Sequence, residues 1–146
     1  MKKFPNTFFY WLISLTWGIL MTTIGLIAAL GCLIAGCKPY RFGYTFYFKI
    51  GRGWGGLELG PVFFVCEDCS IHTKLHEQGH GIQHLIFGPF EAFISIASAV
   101  RYWYREYMWK FKPEEARKMP AYDAIWFEGQ ATRLGYKYFG EEYAQF

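Results

Sequence analysis

All four histidines of the chain lie in one short stretch, "IHTKLHEQGHGIQH", at His72, His76, His80 and His84, each four residues from the next. Side chains four apart on an α-helix stand one above another on a single face. Two imidazoles so placed can share one metal ion, because a Zn–N bond is about 2.0–2.1 Å long. His76 and His84 would be roughly 12 Å apart along the helix axis and cannot share one. The eligible pairs are His72/His76, His76/His80 and His80/His84. Only the middle pair carries more than spacing, since "HEQGH", His76 to His80, reads H-E-x-x-H. In that motif the two histidines ligate zinc and Glu77 acts as general base on the bound water. For His72 and His84 the plain reading is a polar helix face. Their functional reading is support of a ligand, contact with substrate, or proton handling.

A catalytic zinc needs a third protein ligand and an open fourth position. No histidine follows His84, so the metzincin pattern is excluded and a downstream carboxylate must serve. Glu91, Glu106, Asp123 and Glu128 are the candidates. Glu91 follows Pro89, where an acid suits the first turn of a helix. Glu106 sits among Arg and Tyr, as an exposed ion pair would. Glu128 lies in "AIWFEGQA", where a carboxylate is costly unless a cation or a metal pairs with it. Glu128 is therefore the expected ligand, with a salt bridge as its plain alternative. Cys66 and Cys69, in "CEDC", could form a disulfide, remain a free pair, or join His76 and His80 in a closed Cys₂His₂ zinc site. The last option has too short a Cys-to-His gap for a zinc finger and leaves Glu77 unexplained.

These residues need elements to hold them. Ser70 is a plausible N-cap for a histidine-bearing helix that ends near Gly88, and Pro89 suits the start of the next. That next helix, "FEAFISIASAVRYWYREYMWKF", is apolar early and aromatic-cationic late. "KPEEARKMP", Lys112 to Pro120, reads as a charged connector. "YDAIWFEGQATRLGYKYF" reads as a last helix that brings Glu128 back. Ahead of the histidines, "YTFYFKI", Tyr44 to Ile50, reads as a strand. "LELGPVFFV", Leu57 to Val65, reads as a second strand interrupted at Gly60–Pro61, and the two make a β-hairpin with an edge or a bulge there. The fold class is α+β.

The N-terminal part differs in kind. No charged side chain occurs between Lys3 and Lys38. Phe8 to Gly36 would extend roughly 43 Å as one helix, against about 30 Å of bilayer hydrocarbon. The reading is an N-terminal transmembrane helix within residues 1–37, followed by a small membrane-associated domain over 38–146. "LIAGC", Leu33 to Cys37, also resembles a lipoprotein cleavage box, but the apolar run far exceeds the roughly 7–15 residues of a signal segment. Lys38, Arg41, Lys49 and Arg52 lean weakly toward a cytoplasmic C-terminal part. The aromatic content, 22%, suits a bilayer boundary. The net charge of +3 is spread along the chain with no basic stripe, which argues against a nucleic-acid partner.

With those residues in view, the chain resembles a group of small bacterial membrane-associated proteins with a gluzincin-like HExxH zinc motif, expected to be metalloproteases. The matching pieces are "WGILMTTIGLI", "GGLELGPVFFV", "HEQGHGIQHLIFGP" and "FEGQATRLG". The resemblance implies Zn²⁺ as cofactor, His76, His80 and Glu128 as ligands, Glu77 as base, Gln83 as a motif residue without an assigned role, and an inner-membrane location. Four residues after the ligand Glu such families carry an acid or amide that supports a histidine. This chain has Thr132, which can accept a hydrogen bond but carries no charge. The resulting expectation is a membrane-anchored zinc hydrolase, most simply a peptidase acting on a peptide or protein. Asp123, Thr132 and Arg133 join His72, Gln83 and His84 as candidates around the ligands or substrate. Chemically able oxyanion donors are His84, Tyr122, Arg133 and Tyr136. The alternatives are a zinc hydrolase of a lipid or cell-wall amide, and a non-catalytic protein with a structural or degenerate zinc site.

Overall fold

The structure, a computed structural model, describes residues 6–143. Helices α1 (Thr7–Ser14) and α2 (Ile19–Ile34) form the N-terminal segment. Asn6 caps α1 by accepting the Phe9 N–H at 3.0 Å. A four-stranded sheet follows, from β1 (Pro39–Phe42), β2 (Thr45–Lys49), β3 (Gly56–Leu59) and β4 (Val62–Val65), in the order β1-β2-β4-β3. Helix α3 (Ile71–Phe87) carries the histidines and leads through a 3₁₀ turn at Gly88–Phe90 into α4 (Glu91–Phe111). A one-turn helix α5 (Pro113–Ala116) and a 3₁₀ turn at Tyr122–Ala124 precede the last helix, α6 (Trp126–Tyr143). The α+β class therefore holds.

The sheet is larger than a single hairpin. β1/β2 and β3/β4 are each antiparallel, and β2 runs parallel to β4, with Phe46 opposite Val62 and Phe48 opposite Phe64. Gly60–Pro61 is thus the turn between two strands and not an interruption within one. Gly60 has φ +67 and Pro61 has no N–H to give a ladder, so the pair reverses the chain.

Both sheet faces are covered, which is why β4 reads as the unbroken apolar run "VFFV". Tyr47, Phe63 and Val65 pack with Leu75 and Ile82 of α3, Phe139 of α6 and Tyr10 of α1. Phe48, Val62 and Phe64 pack on the other side with Ala29 of α2. The N-terminal segment therefore shares its packing with the rest of the chain.

That segment is not one straight helix. α1 and α2 meet at 100° across a short break. Thr16 bonds back to the Leu12 carbonyl at 2.7 Å, and the Gly18 N–H to the Ile13 carbonyl at 2.9 Å, which closes α1. Trp17 then lies over Gly88, and Gly18 lies against the His84 ring. These tertiary contacts outweigh the apolar continuity of the sequence. By length and apolar composition, the single helical stretch able to cross a membrane among the described residues is Ile71–Phe111, and α1 with α2 qualify only if the bent pair counts as one span. Large apolar side chains stay exposed on α2, such as Ile27 and Ile34, and along one face of α4 at Phe93, Ile96, Val100 and Trp103.

The approach of α3 to α6 sets the geometry of everything that follows. A Cβ at Gly79 would fall 1.8 Å from the Ala131 carbonyl oxygen, and one at Gly135 would fall 1.8 Å from that of Leu75. Each helix thus lends a glycine to the other's backbone. Gly79→Ala should force the pair apart and destabilise the fold by about 1–3 kcal/mol. Gly31→Ala, whose Cβ meets nothing within 4 Å, should be neutral or stabilise by up to about 1 kcal/mol. Thermal denaturation followed by circular dichroism, on both variants in detergent, checks the contrast.

Candidate metal centre

Ser70 caps α3 by accepting the Thr73 N–H at 3.4 Å, so the helix starts at a defined residue and its register is fixed. From there His76 and His80 face α6, with ring centroids 4.8 Å apart. Glu128, in the first turn of α6, is fully buried between them. Its Oε2 lies 3.0 Å from His76 Nε2 and 3.2 Å from His80 Nε2. These three are the described group whose ligand atoms all lie within 4.8 Å of one another. A tetrahedral zinc with bonds of about 2.0–2.1 Å would have ligand-to-ligand edges of roughly 3.3 Å. The separations fit that size.

The far atoms of all three side chains are held. Gln83 accepts from His80 Nδ1 at 2.7 Å, and its amide orientation is set because Nε2 donates to the Phe127 carbonyl at 2.7 Å and to Gln130 Oε1 at 2.9 Å. Gln83 Oε1 can only accept, so His80 Nδ1 carries a hydrogen and, in the neutral ring, Nε2 presents a lone pair. That lone pair faces a carboxylate oxygen. Two acceptors at such a distance need a proton or a cation between them. Thr132 Oγ1 pairs with His76 Nδ1 at 2.9 Å. Glu128 Oε1 accepts from Ser98 of α4 and, at 3.3 Å, from Tyr122. Burial pushes the Glu128 carboxyl up, but its pairing with His76 and His80 at one oxygen and the Ser98 bond at the other together hold it well below the usual carboxylate range. Burial, reinforced by the Glu128 charge, raises the Tyr122 phenol above its ordinary value.

A cleft of two lobes, about 180 and 300 Å³, opens at this cluster. Both lobes are lined by Gly56, His76, Glu77, Tyr102 and Tyr122. Glu77 is buried and sits at their junction, beside the edge strand β3. A Cβ at Gly56 would come within 2.5 Å of Glu77 Oε1, so glycine keeps that strand open to the carboxylate.

The other candidates divide. His72 lines the larger lobe and pairs with Tyr136 at 2.8 Å, and Asp123 lines the same lobe. His84 is fully buried and turned toward the N-terminal helices, 3.4 Å from Thr22, where it is part of the packing of α2 on α3. Arg133 is exposed on α6 and lines neither lobe. Glu91 is buried but is not part of the His76, His80 and Glu128 group, and Glu106 is exposed. Cys66 and Cys69 are bonded to each other, so the Cys₂His₂ alternative does not form. Ser98 escaped sequence reasoning altogether. Nothing local marks one serine of "ISIASAV" as the partner of a carboxylate thirty residues on.

No protein-family model, curated protein or solved structure matches the chain. The residues therefore carry the functional argument by themselves. If Gln83 and Thr132 hold ligands, Gln83→Met and Thr132→Val should each weaken zinc affinity by roughly 10–100-fold. His72→Ala, which touches no ligand, should leave it unchanged. Competition against a fluorescent zinc chelator reads all three.

Proposed function

We propose that the chain is a membrane-embedded zinc-dependent hydrolase, and specifically a metallopeptidase. The observation that carries this reading is the convergence of His76 Nε2, His80 Nε2 and Glu128 Oε2 with every far atom already held, so that two acceptors face each other across a gap of zinc size. His76, His80 and Glu128 would hold the ion and leave one position open toward the cleft. Zinc bound there lowers the pKa of a water toward about 7 and polarises a carbonyl.

The chain's own groups supply the rest. Glu77 follows His76 on the adjoining helix face and lines both lobes. Its carboxylate would accept the proton of the attacking water and return it to the leaving nitrogen. Of the four candidate oxyanion donors, Tyr122 is the one that lines both lobes, within reach of Glu128. The outer edge of β3, with Gly56 beside Glu77, suits an extended peptide aligned by strand addition. This edge favours a peptide over a lipid amide.

Membrane attachment is supported by the exposed apolar faces of α2 and α4 and by the charge-free N-terminal segment. We take the bent pair α1–α2 as the embedded anchor, with the apolar face of α4 against the same bilayer. The inner membrane is the location that the family resemblance suggests.

A structural role is the second reading. It draws on the way Ser98, Glu128 and the two histidines tie α3, α4 and α6 together. The two readings part at Glu77, which no described hydrogen bond ties to that network. The hydrolase reading expects about one zinc per chain by elemental mass spectrometry, lost in His80→Ala and weakened in Glu128→Gln. It expects Glu77→Gln to stay folded and zinc-loaded while cleavage of a peptide library falls roughly 100- to 10,000-fold. Folded protein that takes up no zinc when offered it would end the hydrolase proposal. Zinc uptake with no effect of Glu77→Gln on any activity would favour the structural role.

A further inference from the structure

The smaller lobe of the cleft has a feature that zinc ligation and water activation leave unused. Glu58, the inward-facing residue of the edge strand β3, lines it together with His76, Glu77 and His80. Glu58 is 4% exposed. The Gly60 N–H donates to its carboxylate, yet its Oε1 has no partner. A fully buried second acid, Glu91, has both oxygens unpartnered. Burial, then the charges of Glu91 and Glu77, push the Glu58 carboxyl well above the usual range. No lysine or arginine among the described residues forms an ion pair with Glu58 or Glu91, and a cation entering the lobe would stabilise the ionised Glu58 carboxylate. Trp54, Tyr102 and Trp103 line the same lobe, and aromatic faces attract a cation as well.

We infer that Glu58 anchors a primary ammonium group of the substrate, in the smaller lobe and close to the bond that is cut. The inference rests on the hydrolase reading and names its substrate class: peptides with a free α-amino group, or with a lysine side chain, beside the scissile bond. A second metal ion suits the position less well. Among the described residues, only His76, His80 and Glu128 bring three ligand atoms within 4.8 Å of one another. An ammonium needs no such cage. One carboxylate oxygen and an aromatic wall hold it, with three N–H donors to share among Glu58 and the neighbouring acceptors. An edge strand is also a suitable carrier, because a peptide laid along β3 passes its ends over that strand's side chains.

The test uses full-length, zinc-loaded protein in detergent and three zinc-binding probes of similar size. These are N-acetyl-lysine hydroxamate with a free side-chain amine, norleucine hydroxamate with a free α-amine, and N-acetyl-norleucine hydroxamate with no cation. Isothermal titration calorimetry gives each dissociation constant. At least one ammonium probe should bind about tenfold more tightly than the neutral one, the scale of one hydrogen bond to a charged group. Whichever wins tells the α-amine from the lysine. In Glu58→Gln the advantage should vanish while the neutral probe binds as before. Equal affinity of all three for the wild type overturns the inference, and that comparison stands even if the variant fails to fold. An ammonium advantage that survives Glu58→Gln overturns it too, since the amine would then be binding zinc. If zinc-loaded protein binds none of the hydroxamates, the open metal position is absent and the hydrolase reading falls with it.

Discussion

A carboxylate with no exposure, set between two imidazoles, is the constraint around which this chain is organised. Burying the Glu128 charge alone would be prohibitive. Its neighbours make it tolerable: His76 and His80 at one oxygen, Ser98 and Tyr122 at the other. Those four groups come from α3, α4 and the turn before α6, so satisfying one carboxylate fixes the relative positions of three segments. Arg101 strengthens the same junction by donating to the Tyr122 carbonyl at 2.8 Å and to that of Ala121 at 3.1 Å.

The close crossing of α3 and α6 is what makes that arrangement reachable. A carboxylate oxygen can stand 3.0 Å from an imidazole nitrogen only if the two helix backbones come nearly into contact. Gly79 lies between the two histidines on α3, and Gly135 lies two turns beyond Glu128 on α6. Each removes the one atom that would hold the helices apart. Gln83 and Thr132 then use the same proximity. Neither reaches its histidine by luck of rotamer: Gln83 is itself pinned by Phe127 and Gln130 of α6, and Thr132 lies one turn on from Glu128.

The sheet lies between helix α2 on one face and helices α3 and α6 on the other. β3 presents an open edge to Glu77, while the far face of the sheet is covered by α2. The bend between α1 and α2 is fixed by Trp17 and Gly18 against the α3 end, at Gly88 and His84. An apolar segment whose only partner was lipid would have no reason to turn there. The turn joins the apolar exterior to the helix that bears the histidines, and α4 is tied to α6 through the Ser98 bond to Glu128.

Much of the site was legible in the chain itself, for reasons of periodicity. A spacing of four on a capped helix commits His76 and His80 to one face, and an acid within "AIWFEGQA" needs a partner whatever the fold. The α+β class followed from short aromatic runs with glycine turns set against long helical patterns. What the sequence could not decide is anything that depends on which distant surfaces meet. His84 has the same spacing as its neighbours, yet the advance of the helix face turns it onto Thr22, away from the His76, His80 and Glu128 cluster. Ser98, Gly79 and Gly135 carry no local signature, since a short hydroxyl or a missing side chain matters only once another helix stands beside it. The parallel pairing of β2 with β4 and the bend after α1 belong to the same class. Local pattern determined which residues face the same way along one element. The tertiary structure decided which of those faces came within bonding distance of each other.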